Sequence, residues 1–145
     1  MTMDQLWLRS PEKLNEEEMI TYEKLFPYFI AKINKLNKNQ PVIAEGAAFL
    51  PNLVNKIGVG VAYYICVVPT NEFQNWQYSK RPWVSDYLAS CSDKEKAFNN
   101  WMERDSLFAM SALNQAKRIG YATLVVDGSK NIDENYQFVV ETLKI

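Results

Sequence analysis

Polar and apolar positions along this chain switch between helical spacing and short unbroken apolar runs. Met19, Tyr22, Phe26, Phe29, Ile33 and Leu36 recur at helical spacing and form one apolar face. Asn15, three residues before Glu18, predicts the start of that helix by reciprocal capping, and Asn37, Lys38 and Asn39 predict its end. Pro27 lies inside the stretch and predicts a kink or break. Residues 41–45, which open the stretch PVIAEGAAFLP, predict a short first strand. Residues 61–68, VAYYICVV, are aromatic and β-branched without alternation, the pattern of a strand covered on both faces. Pro69 stops it, Thr70 caps a helix reaching about residue 80, and Pro82 makes Arg81 a boundary.

The second half repeats the theme. Ser92-Asp93-Lys94-Glu95 reads as a capping box for a helix that reaches Arg118 and ends at Gly120. Its stripe is Phe98, Trp101, Met102, Asp105, Phe108, Ala109, Ala112, Leu113 and Ala116. Residues 122–126 predict a third strand, followed by the turn Asp127-Gly128-Ser129. Asn131 with Glu134 caps a last helix with the face Ile132, Tyr136, Val139, Val140 and Leu143. Three parallel strands separated by helical crossovers predict an α/β domain over residues 1–145, a small parallel sheet flanked by helices in three layers. Ligands in such sheets sit at the carboxyl ends of strands, here Glu45-Gly46, Pro69-Thr70 and Asp127-Gly128-Ser129.

Composition narrows the chemistry. The chain has 145 residues, 48% of them hydrophobic and 13% aromatic, which argues for a globular domain rather than disorder. A net charge of -1 offers no strong attraction for nucleic acid or an anionic membrane, so neither is expected as a partner. The chain has 0 histidines, so the commonest metal ligand and near-neutral proton carrier is missing. No metal ligands are assigned, and acid–base chemistry falls to carboxylates, Lys, Tyr or Cys. Cys66 and Cys91 have no metal or redox spacing and fit a reducing cytoplasm, with Cys66 a small buried hydrophobe. The start MTMDQLWLRS lacks the pattern of a signal peptide, and the longest apolar run, residues 59–69, is too short to span a bilayer. A cytoplasmic location is therefore expected.

Several residues invite chemistry. Glu45 closes an apolar run. It is either a group that contacts metal-bound water, a proton or a substrate hydroxyl, or a rim carboxylate that caps the following turn. Asp105 interrupts an apolar stripe, where charge is costly unless paired. With its neighbour Arg104 it either serves a phosphate site or makes a structural ion pair with Arg81 or another base. Tyr78, Lys80, Arg81 and Trp83 form a basic and aromatic cluster that suits phosphate or simply solvation. Trp76, Trp83 and Trp101 read as packing. Asp127-Gly128-Ser129 cradles a ring through backbone groups or is a plain turn. A pairing of Glu45 with Asp105 for glycoside hydrolysis is a further reading. The chain contains no G-x-x-x-x-G-K-[ST], and Gly58-Val59-Gly60 precedes a strand where a phosphate loop must follow one.

Four ordered blocks, PVIAEGAAFLP, YYICVVPTNEFQNWQYSKRPWV, FNNWMERDSLFAMSALNQAKRIGY and TLVVDGSKNIDE, resemble the later part of P-loop small-molecule kinases. The nearest likeness is to bacterial proteins of the uridine kinase or shikimate kinase sort, over nearly the whole chain. The resemblance implies an incomplete P-loop NTPase-like fold that begins after the phosphate-binding loop. It implies that residues 1–7 end a strand, with Asp4 near the substrate. It places Glu45 and Gly46 towards Mg²⁺ and substrate, Arg81 and Arg104 in a lid over the phosphates with Asp105 beside them, and Gly128 and Ser129 near the adenine. Catalysis would then fall to Glu45, Arg81 and Arg104, and substrate binding to Asp4, Gly46 and Asp105. ATP and Mg²⁺ would be cofactors only of a completed site.

In that family the first strand lies between the strands matched here by residues 42–45 and 61–68. Its absence implies a gap in mid-sheet, and unpaired edges invite a partner. Either the two strands close up, or a neighbouring copy fills the gap, or a complementing N-terminal segment does. The expected function is that of a truncated or split kinase, a phosphotransferase by ancestry acting on a small molecule, with little or no activity alone. The alternative is a non-catalytic binding or assembly module whose sheet is completed by self-association.

Overall fold

The computed structural model describes residues 1–36 and 39–145. Short polar side chains start most of its longer helices. Helix α1 (Met3–Trp7) begins at Thr2, whose side chain accepts from Gln5 N while the Gln5 side chain accepts from Thr2 N. Helix α2 (Pro11–Ile33) begins at Ser10 with Pro11 in the first turn. Helix α3 (Pro51–Lys56) follows, then a 3₁₀ turn (Val61–Tyr63) and strand β1 (Ile65–Pro69). Thr70 caps helix α4 (Asn71–Ser79), and Arg81 precedes helix α5 (Pro82–Tyr87). Asp93 caps helix α6 (Lys94–Ile119), which ends at Gly120. There φ is 89°, and Tyr121 N donates to Ala116 O, the closing bond of a left-handed helix end. Strand β2 (Ala122–Val126) and helix α7 (Ile132–Leu143), with its Asn131–Glu134 capping box, complete the order.

The chain is mixed α/β. Among the described residues the sheet has two strands, β1 and β2, parallel in the register Ile65↔Ala122 to Pro69↔Val126. Thr70 N continues the ladder by donating to Val126 O. Two apolar clusters hold the helices. One joins Phe26, Leu50, Leu53, Val54, Cys66, Val68, Ala112, Ala116 and Tyr121. The other joins Trp7, Leu14, Val84, Leu88, Cys91, Ala97, Trp101 and Met102. Helix α6 contributes to both: Ala97, Trp101 and Met102 from its first half, Ala112 and Ala116 from its second.

Several expectations need correction. Residues 41–45 are not a strand: they are irregular, with Val42 and Ile43 exposed. A strand is defined by its hydrogen-bonded neighbour, and among the described residues this segment has none. Residues 1–7 do not end a strand either. Thr2 and Gln5 turn them into α1, which delivers Trp7 to a stack on Trp101 at 5.1 Å between ring centroids. Helix α2 starts before Asn15, because Ser10 and Pro11 supply an earlier cap, and it runs through Pro27 without a break. Tyr22, Phe26 and Ile30 seat both sides of that proline on the core. The helix ends at Ile33; of its expected stop, Asn37 and Lys38 lie outside the described residues. Strand β1 begins at Ile65, not at Val61, and it is not covered on both faces. Cys66 and Val68 are buried while Val67 is 49% exposed.

Candidate functional site

Beyond the carboxyl end of β1 the chain turns at Thr70 into α4, and α4 packs on the middle of α6. That turn lets Gln74 Nε2 donate to Asp105 Oδ2 at 2.7 Å. Asp105 is also paired with Arg104, and Arg104 reaches across to Glu18 of α2 at 3.0 Å. The Arg104 guanidinium lies 5.1 Å from the centroid of the Trp7 ring. Arg104, Glu18 and Asp105 are 17%, 22% and 20% exposed at their side chains, so water solvates them only in part. Burial raises the proton affinity of the Glu18 and Asp105 carboxyls, and Arg104 only partly opposes that. Tyr22 donates to Glu18, and Asp105 takes a further hydrogen bond from Trp101.

These groups stand on the wall of a cleft of about 1000 Å³. One side of the cleft is β1: each residue from Ile65 to Pro69 lines it, so it is the unpaired edge of the strand that faces in. The segment from Ile43 to Ala47 lines it too, with Phe49 and Leu50. Phe108, Ala109, Ala112, Val139 and Leu143 add apolar surface. Tyr64 donates to Phe49 O at 2.7 Å and ties the two stretches at one end. Burial pushes the Tyr64 hydroxyl well above its usual range and raises the Cys66 thiol, so neither ionises readily.

The cleft gathers Glu45, Gly46, Arg81, Arg104 and Asp105. Glu45 is on its rim and exposed, not at the end of a core strand. Arg81, also exposed, lies 4.5 Å from the centroid of the Tyr78 ring and makes no ion pair with Asp105, whose partners are Arg104, Gln74 and Trp101. Those bonds occupy both oxygens of Asp105, which argues against its pairing with Glu45 for glycoside hydrolysis.

Three expected residues lie elsewhere. Asp4 Oδ1 accepts from Ser92 N at 2.8 Å, so it anchors α1 to the turn before α6 rather than facing a substrate. Gly128 and Ser129 do not line the cleft. Ser129 donates both its N–H and its hydroxyl to Asp127 Oδ1, at 2.9 and 2.6 Å, and these bonds hold the Asp127 carboxyl below its ordinary range. That is a turn stabilised by its own aspartate. A Cβ at Gly128 would come within 2.8 Å of the Phe73 ring, so the loop is pressed against α4.

Sequence reasoning passed over Glu18, Tyr22 and Gln74. Glu18 was open to detection, because Leu14, Glu18, Tyr22 and Phe26 step along one face of α2 at intervals of four. A carboxylate on that stripe is the same signal that marks Asp105.

Among the described residues no three His, Cys, Asp or Glu gather as a metal set. Glu45 and the cleft suit Mg²⁺ only as nucleotide-bound Mg²⁺ is commonly held, by phosphates and water with one or two protein carboxylates. No helix among the described residues is long and apolar enough to cross a membrane. Comparison with known proteins finds no matching family model, curated protein or solved structure.

Proposed function

We propose that this chain is the later part of a P-loop kinase-like, three-layered fold, a phosphotransferase by ancestry with little or no activity alone. One observation carries the reading. The cleft is lined both by β1, which has an unpaired edge, and by residues 43–47 and 49–51, the two stretches between which the resemblance leaves out the strand bearing the phosphate loop. Arg81, Arg104 and Glu45 stand on the wall of that same cleft. A strand seated there would carry its following loop towards the carboxyl end of β1, the ligand end of such sheets. Arg81 and Arg104 would then stabilise charge on a transferring phosphoryl group, and Glu45 would hold Mg²⁺-bound water or the acceptor. The acceptor is a small molecule, and ATP with Mg²⁺ serves only the completed site.

The test is complementation. The chain is co-expressed with a segment that carries an apolar strand followed by G-x-x-x-x-G-K-[ST]. ATP binding is measured by calorimetry, and phosphoryl transfer is measured to a panel of small hydroxylic acceptors. The reading expects binding that needs both pieces and weakens on Arg81→Ala or Arg104→Ala. Micromolar ATP binding by the lone chain, or none with the added segment, sinks it.

A second reading is a non-catalytic assembly module that completes its sheet by self-association. The unpaired edges of the two-stranded sheet favour it, since an open edge can pair with another chain. Sedimentation at rising concentration separates the two: a homodimer supports assembly, and a monomer at millimolar concentration removes it.

A further inference from the structure

The charges around Arg104 do not balance. Two carboxylates, Glu18 from α2 and Asp105 from α6, share one guanidinium that is mostly buried. The trio therefore carries one surplus negative charge in a poorly solvated wall, a costly state unless a proton or counter-charge joins it. Arg104 is not fully satisfied there either: its Nε–H is buried without an acceptor. An unpaired buried donor adds its own cost to the arrangement. Yet the residue stands on the wall of the cleft, with Arg81 on the same wall.

We propose that Glu18 and Asp105 park Arg104 against the wall, and that an oxyanion of the phosphate or sulfate type entering the cleft takes Arg104 from them as one carboxylate takes up a proton. The inference rests on the reading that the cleft receives a phosphate group, and it adds a proton to that binding event. Glu18 and Asp105 are positioning residues in this scheme. The proton comes from solvent and ends on a carboxylate oxygen, so the surplus charge disappears as the guanidinium leaves. The burial that raises both carboxyls favours such uptake.

Other titratable groups lie around the trio. Tyr22 from α2 is itself pushed up by burial. Tyr78, Arg81 and Glu45 line the same cleft, and Gln74 from α4 is neutral. Glu17 is paired with Arg9 at 2.7 Å, and Asp4 is bonded to Ser92 N.

The test is an NMR titration of the whole labelled chain with sodium sulfate at constant ionic strength, from about pH 5 to about pH 8. Sulfate keeps its charge over that range. Wild type should bind it progressively more weakly as pH rises above the carboxylates' shared titration, by about tenfold per pH unit for one linked proton. The Arg104 Nε–H resonance should move on binding. Glu18→Gln should bind sulfate at the upper pH as tightly as wild type does at the lower, with the slope gone. Asp105→Asn should do the same and serves if the first variant fails to fold. A pH-independent wild-type affinity that Arg104→Gln abolishes overturns the inference and leaves the phosphate reading standing. Glu18→Gln tracking wild type overturns it too, as do carboxyl carbons of Glu18 and Asp105 that titrate in the ordinary range. Sulfate binding by no variant at any pH overturns the inference, while the phosphate reading stands or falls by the complementation measurement.

Discussion

Glu18 and Asp105 are ionisable groups on faces that otherwise pack, and the cost of keeping them ionised there is borne by the whole fold. Their folded proton affinities are raised, with burial the largest cause in each. The stability they contribute is therefore fully present below their ordinary values of 4.5 and 3.8, and it is lost as pH rises through their higher folded values. Removing one charge should relieve that loss. The unfolding free energy of Glu18→Gln relative to wild type should improve steadily as pH is raised from about 4 towards neutrality. Urea melts across that range measure it, and a gap that stays constant with pH refutes it. Gly128 gives a second prediction at this scale. Its φ is +87°, and a Cβ would press on Phe73. Gly128→Ala should lower stability by about 1–3 kcal/mol, read as a lower urea midpoint with an unchanged slope. An unaltered midpoint would show that Phe73 gives way freely.

At the scale of elements, α7 is the helix to watch. It has no buried residue, and Ile132 and Tyr136 on its expected apolar face are exposed. Only part of that face meets the body, with Val139 and Leu143 on the cleft wall. Its capping box then matters more than it would on a buried helix. Asn131→Ala should cost about 1 kcal/mol. Amide exchange in the first turns of α7 should accelerate about fivefold while α6 is unaffected, since weakly packed elements open locally. Equal acceleration in both helices would mean that α7 does not open by itself.

The same elements show what a sequence reveals. Starts and stops written in short polar residues and glycine were legible: Thr70, Gly120 and the Asn131–Glu134 pair stand where expected. The cap of α6 is one residue later, at Asp93 rather than Ser92, since Ser92 N is engaged by Asp4. Helices α1, α3 and α5, of 5, 6 and 6 residues, are too short to display a helical period. The failed strand at residues 41–45 has another cause. Val42 and Ile43 carry the right side chains, but a ladder belongs to two segments and composition reports on one. At the site, Asp105 and Arg104 were legible as an anomaly on a stripe. Their partner Glu18 carries the same signal on the stripe of α2, but its place three residues after Asn15 also reads as a helix cap.

Over the whole molecule, α6 is the shared member. At 26 residues it runs about 39 Å, long enough to serve both apolar clusters. Neither cluster can come apart without releasing half of that helix, so the two should lose structure together. The chromophores are distributed so that this can be watched. Trp7 and Trp101 stack within one cluster, with Trp83 against Trp101 at 5.9 Å. Tyr64 and Tyr121 lie 4.6 Å apart beside the other, which contains no tryptophan. Emission of Trp7, Trp83 and Trp101 thus follows one end of the helix, and the individually assigned ring NMR signals of Tyr64 and Tyr121 follow the other. Their thermal transitions should superimpose, and calorimetric and van't Hoff enthalpies should agree. Two separated transitions would reveal a hinge in the middle of α6, near Arg104 and Asp105, and the chain would then behave as two optical and thermodynamic halves.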